Sequence, residues 1–179
     1  MKTSTIFALL AGAGALGWSA PLRAAPLRVG DPAPVVTGTD QAGAPLNLGD
    51  VYKKQTYTLV YFFPRAFTSG CTAQGCSIRD AWGALEKDGV TVIGVSTDPV
   101  EKQAQFKAKE HFPFTLIADP GKTVIDAFHV PTHTYPGIGT IATREAYLIK
   151  DGRVVWADYH AATRRQAADV LRVIASMKS

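Results

Sequence analysis

Tyr57 to Leu85 reads YTLVYFFPRAFTSGCTAQGCSIRDAWGAL, and this stretch holds both cysteines of the chain, Cys71 and Cys76. YTLVYFF is a β-branched and aromatic run of strand length. Pro64 ends it, because proline has no N–H to give to a sheet ladder. A short loop, Arg65 to Gly70, leads into a helical pattern in which Ile78, Ala81, Trp82 and Leu85 share one face. Seven residues back from Ile78, on that face, lies Cys71. It is therefore expected in the first helical turn, where unpaired N–H groups and the positive end of the helix dipole favour a thiolate. Cys71 reads as a nucleophile.

Cys76 lies five residues on, a rotation of roughly 140° and a rise of about 7.5 Å along a helix. A disulfide requires Cα atoms within about 7 Å. Two helical cysteines at this spacing do not bond unless the turn unwinds. A structural staple, the default for two cysteines outside the cytosol, would not be built that way. A redox pair whose helix unravels during its cycle would be.

These residues resemble a known family. Pro64-x-x-x-Thr68-x-x-Cys71 matches the active-site signature of the peroxiredoxins, thiol peroxidases on a thioredoxin-like fold. Cys71-Thr72-Ala73-Gln74-Gly75-Cys76 resembles the atypical two-cysteine branch of bacterioferritin comigratory protein and PrxQ, whose resolving cysteine follows the peroxidatic one by five residues. The resemblance covers Pro26 to the C-terminus. It implies that Cys71 attacks a peroxide and becomes a sulfenic acid, which Cys76 condenses with to form a disulfide. A thioredoxin- or glutaredoxin-like dithiol would then reduce that disulfide. Arg144, just before REAYLIKDG, stands where the family carries its active-site arginine, a fixed cation suited to thiolate and developing oxyanion. By the same resemblance Thr68 offers a hydroxyl to the peroxide, and Pro64 shields Cys71 from bulk water. The implied reaction calls for no cofactor and no metal. The branch is often monomeric, with dimers in some members, so a monomer or weak dimer is expected.

The rest of the chain supports an α/β fold. Pro-rich Val29 to Val36 reads as extended, and Gly38 to Gly49 as an edge hairpin. Val90 to Ser96 is an apolar strand buried on both faces. Asp98, Pro99 and Glu101 form a capping box for the next helix, which ends near Phe112-Pro113. Phe114 to Ala118 is a short strand, and Asp119-Pro120 opens a short helix. His129 to Thr143 reads as a long loop without a period. Glu145 to Tyr159, turning at Asp151-Gly152, is a hairpin. Thr163 with Gln166 caps a last helix, buried along Ala167, Val170, Leu171, Ile174 and Met177. This order fits a thioredoxin-like sandwich: a central mixed β-sheet with helices on both faces. Its crevice lies beyond the C-terminal ends of the parallel strands, where Cys71 falls and the antiparallel strand after Arg144 begins.

Residues 1–25 read as a secretory signal: Lys2, then an apolar stretch from Ile6 to Trp18, then small residues. Export, to a bacterial periplasm, is the expectation, with residues 26–179 forming one domain. An uncleaved anchor is the alternative, and no stable membrane association is expected after cleavage. Without Lys2 and Arg23 the chain keeps 17 basic against 15 acidic residues, and nothing in that balance argues for nucleic acid or an acidic membrane as a partner. His129 and His133 have metal-binding helical spacing, but Pro131 between them argues against a helix. Two other functions are compatible with an exported cysteine pair. A thiol–disulfide oxidoreductase would use Cys-x-x-Cys. A Sco-type copper chaperone would use Cys-x-x-x-Cys with a distal histidine, for which His133 or His160 could serve. The spacing here is longer than either.

Overall fold

The structure, a computed structural model, describes residues 25–178. The signal expected at 1–25 lies, except for Ala25, outside the described residues. In chain order the elements are β1 (Thr37–Asp40), β2 (Pro45–Asn47), α1 (Leu48–Val51), β3 (Tyr57–Phe62), α2 (Ser69–Asp80), α3 (Trp82–Lys87), β4 (Val90–Ser96), α4 (Val100–Glu110), β5 (Thr115–Ala118), α5 (Thr123–Ala127), β6 (Thr132–Tyr135), β7 (Gly139–Ala142), β8 (Glu145–Lys150), β9 (Arg153–Asp158) and α6 (Gln166–Lys178).

Seven strands form one mixed sheet in the order β2-β1-β5-β4-β3-β8-β9. The β3/β4 and β4/β5 pairs are parallel, and the others antiparallel. Strand β3 lies inside the sheet between β4 and β8, and all six of its residues are buried. Its side chains alternate between two cores, as a pleated strand requires. Leu59, Tyr61 and Phe63 face a core closed by Ile78 of α2, Leu85 of α3, Phe106 of α4 and Val170 and Ile174 of α6. Val60 and Phe62 face the other core, with Leu48 of α1 and Val124, Ile125 and Phe128 at α5. Helices thus cover both faces, and the fold is the expected thioredoxin-like sandwich.

Five local expectations change. Met177, expected on the buried stripe of the last helix, is exposed near its end. The helix after Cys71 is not continuous: Ala81, at φ −100° and ψ 11°, separates α2 from α3. Asp98 does not cap α4. Pro99 is the extended N-cap residue there, and the Asp98 carboxylate turns inward to accept from Ala66 N–H at 2.7 Å and Ser96 Oγ at 2.9 Å. Its second oxygen takes Lys102 Nζ at 2.6 Å. The interior offered Asp98 a stronger set of donors than the helix end did. Gln166 makes no capping box with Thr163, because its Oε1 accepts Gln74 Nε2 at 2.8 Å across the core. Finally, His129 to Thr143 is not structureless: β6 and β7 pair within it, from Thr132↔Ala142 to Tyr135↔Gly139. Two turn glycines at positive φ, Gly137 and Gly139, allow the reversal.

Among the described residues no helix is long and apolar enough to cross a membrane.

Candidate active site

Cys71 is the third residue of α2 and is 2% exposed. Strand β3 ends at Phe62, and the chain turns through Pro64 to Thr68 before the helix begins. Thr68 is the N-cap residue, extended at φ −80° and ψ 148°, as a cap must be. Its hydroxyl does not cap the helix; it donates to Arg65 O at 3.0 Å, on the exposed side of the loop. The first helical bond runs from Thr72 N–H to Thr68 O at 2.9 Å. The N–H groups of Ser69, Gly70 and Cys71 therefore have no acceptor within the helix, and they belong to the same first turn as Cys71. The loop is held from below by Asp98 through Ala66 N–H. Phe67 takes a positive φ of 67°, strained for a bulky residue, where the chain turns into the cap. Pro64 is half-buried at the end of β3.

Arg144 reaches Cys71 because β8 runs antiparallel to β3, with Phe62 opposite Glu145. The residue before β8 is thereby delivered to the end of β3 where α2 starts. Arg144 Nη2 lies 3.3 Å from Cys71 Sγ. Its Nη1 donates to Gln74 Oε1. A Cβ on Gly70 would stand 3.3 Å from Arg144 Nη2, so glycine leaves the guanidinium room to approach.

Gln74 and Gln166 are partners that the motif reading missed. Both are fully buried, and together they extend the chain of contacts Cys71–Arg144–Gln74–Gln166 from α2 to α6. The signal was present: Gln74 is three residues after Cys71, a polar residue on the stripe that Ile78 continues inward. A buried amide there needs partners. Tyr61 lies beneath the same sulfur; burial holds its phenol well above the usual tyrosine range, so it stays neutral. Among the described residues its hydroxyl has no hydrogen-bond partner.

Cys76 is a free thiol, as Cys71 is. It is half-buried, with Sγ 3.7 Å from Glu110 Oε2 at the end of α4. Burial pushes the Cys76 thiol up; Arg79 pulls it down, and the negative charges of Glu110 and Asp80 push it up again. The histidines are apart: His129 sits in a left-handed turn with Nδ1 2.8 Å from Ala25 O, and His133 is on β6. Among the described residues, no three or more His, Cys, Asp or Glu side chains gather as they would around a metal ion.

Comparison with known proteins gives a consistent set of relatives. Residues 29–157 match the model of the AhpC/TSA family. Peroxiredoxin Bcp of Escherichia coli (strain K12) is 42% identical over 123 residues, 65% of this chain and 78% of that one. The chloroplastic Peroxiredoxin Q of Sedum lineare is 36% identical over 146 residues, 79% of this chain and 76% of that one. Among solved structures, Peroxidoxin BcpB from Mycobacterium tuberculosis superposes with a TM-score of 0.78 at 27% identity, covering 86% of this chain and 99% of that one.

Proposed function

The chain belongs to the AhpC/TSA family as a peroxiredoxin of the bacterioferritin comigratory protein and PrxQ branch, and on that premise we propose how its residues divide the work of a thiol peroxidase. The observation that carries the assignment is Arg144 Nη2 at 3.3 Å from Cys71 Sγ, at a helix start with free N–H groups. The guanidinium is always charged and brings N–H donors to the sulfur.

In the first step the Cys71 thiolate attacks the terminal oxygen of a peroxide. The S–O bond forms as the O–O bond breaks, and the departing oxygen leaves as water or an alcohol after taking a proton. Negative charge moves onto that oxygen during the step. Arg144, beside the sulfur, is the donor to that charge, with the unpaired N–H groups at the start of α2 adding to it. The Thr68 hydroxyl, at the N-cap three residues before Cys71, leaves Arg65 O to serve the incoming peroxide. Pro64 and the buried walls keep water from the sulfur. The product is a sulfenic acid at Cys71.

In the second step α2 unwinds and Cys76 attacks the Cys71 sulfenic sulfur. A thioredoxin- or glutaredoxin-like dithiol reduces the disulfide by exchange. The composition of residues 1–25 supports export to the periplasm, where the donor would be an extracytoplasmic thioredoxin-like protein. Leu27, buried and bonded through its carbonyl to Tyr159 Oη at 2.7 Å, belongs to the folded body, so cleavage before it leaves the fold whole. The protein works as a monomer or weak dimer in this account.

The test is consumption of hydrogen peroxide and cumene hydroperoxide by the reduced protein, with dithiothreitol or thioredoxin as donor. Cys71→Ser should abolish it. Cys76→Ser, reduced and then freed of donor thiol, should consume one equivalent and leave a sulfenic acid that dimedone traps. Failure of the wild type to consume either peroxide would falsify the assignment.

A further inference from the structure

Cys76 is packed against the core that Cys71 belongs to, yet its sulfur faces a different set of groups. Arg144 touches Cys71, whereas Glu110 touches Cys76. The end of α4 is fixed there from two sides. Arg79 Nη1 of α2 donates to the Glu110 backbone oxygen at 2.8 Å, while its Nε and Nη2 engage Asp80. Phe112, two residues past Glu110, lies against Gly75 so closely that a Cβ there would stand 2.3 Å from the ring. The Glu110 side chain is thus held over the middle of α2, beside the sulfur that must later travel to Cys71.

We propose that Glu110 is the positioning residue of the resolving cysteine: while α2 is wound, its carboxylate accepts the Cys76 S–H and keeps it a protonated, tethered thiol, and helix unwinding releases it. This rests on Cys76 being the resolving cysteine. Its chemical reason is selectivity. Either sulfur would attack a peroxide as a thiolate, whereas a thiol reacts far more slowly. A carboxylate at hydrogen-bond distance disfavours a second negative charge, so the wound helix presents one reactive sulfur rather than two. Burial acts most strongly and in the same direction, Arg79 acts against it, Asp80 on α2 acts with Glu110, and the Tyr61 phenol is neutral. When the helix opens, Cys76 leaves Glu110 and becomes an ordinary thiol. Its S–H proton and the sulfenic hydroxyl depart together as water, the Cys71 S–O bond breaks and the S–S bond forms.

The experiment measures iodoacetamide alkylation of Cys76 against pH in the Cys71→Ser background, with and without Glu110→Gln. In parallel samples that keep Cys71, with and without Glu110→Gln, disulfide formation after one equivalent of peroxide is followed by mass. Removing the charge should move the alkylation profile to lower pH and raise the rate below its midpoint roughly two- to fivefold, the range of a partly exposed charge interaction. Glu101→Gln, on the far turn of α4, should leave the profile in place. Glu110→Asp, which withdraws the charge by one methylene, should fall between, and it supplies the reading if the glutamine variant does not fold. An unmoved profile in a protein that still forms the Cys71–Cys76 disulfide overturns the role of Glu110 alone. Absence of that disulfide in the wild type overturns the assignment of Cys76 itself, and the alkylation profile then still reports whether Glu110 governs the thiol.

Discussion

Arg144 spans Cys71 and Gln74 with one guanidinium, placing Nη2 3.3 Å from the sulfur and Nη1 on the amide oxygen one turn along the helix. The two contacts fix both the distance and the plane of the fork. A point charge could supply the first contact but not both, and this makes arginine hard to replace here.

Arg144→Lys should therefore lose most of the peroxidase rate although it keeps the charge. A loss of about 10²–10³ in the rate of Cys71 oxidation is expected, the size seen when one donor to a developing oxyanion is removed. Stopped-flow oxidation of the reduced protein reads this directly. A lysine variant within a few-fold of wild type would mean that charge alone suffices.

Gln166 lies one contact further away and should act through geometry. Gln166→Leu leaves Gln74 Nε2 buried without an acceptor, which costs about 1–3 kcal/mol. Gln74 can then rotate, and the Arg144 fork loses one of its anchors. Urea unfolding should show the destabilisation, and the oxidation rate should fall at temperatures where the variant is fully folded. Gln166→Glu, which keeps an acceptor for Gln74, should recover part of the rate; loss of stability without loss of rate would confine Gln166 to a structural role.

The sandwich was legible because β3 and β4 are long apolar runs with clear stops, and because the stripe from Cys71 to Ile78 has helical period. The place of Cys71 in the first turn of that helix was legible from the same period. What escaped is what depends on partners distant in sequence. Asp98 is followed by proline and glutamate as in a capping box, yet its carboxylate is claimed by Ala66 N–H, 32 residues away. Gln166 has the spacing of a box with Thr163, yet its amide is claimed by Gln74, 92 residues away. A local rule cannot see such competitors. The β6–β7 hairpin escaped for another reason: Pro and Gly obscured the short alternation of THTY and GTIA, and most of these residues are not buried deeply enough to leave an apolar signature.

Gly75, between Gln74 and Cys76, sets how closely α2 approaches the Phe112 ring. Gly75→Ala inserts a methyl where there is no space and should destabilise the protein by about 1–3 kcal/mol, even though alanine is the better helix former. Phe112→Leu in the same chain should restore part of the loss by opening the contact. Thermal melts of the two single variants and the double variant test this. Additive losses would show that the ring is not what meets the new methyl.

Asp119 offers a pH test independent of the cysteines. It is 4% exposed, and its Oδ2 accepts Val124 N–H at 2.9 Å and Ile125 N–H at 2.8 Å, tying the end of β5 to the start of α5. Burial raises its pKa above the usual carboxylate range, and those backbone donors offset the rise only in part. The folded carboxyl thus keeps its proton to a higher pH than the unfolded one, whose pKa is about 3.9. Between the two values the folded state binds more protons, so this group's contribution to stability is greatest below the unfolded pKa and declines as pH rises through the folded pKa. Asp119→Asn cannot ionise and has no such decline. Measured by urea unfolding from pH 4 upward, the stability of Asp119→Asn relative to wild type should rise with pH and then level off above the folded pKa. A relative stability that falls over the same range would mean that the helix-start donors outweigh burial, and that Asp119 holds α5 as a carboxylate at no electrostatic disadvantage.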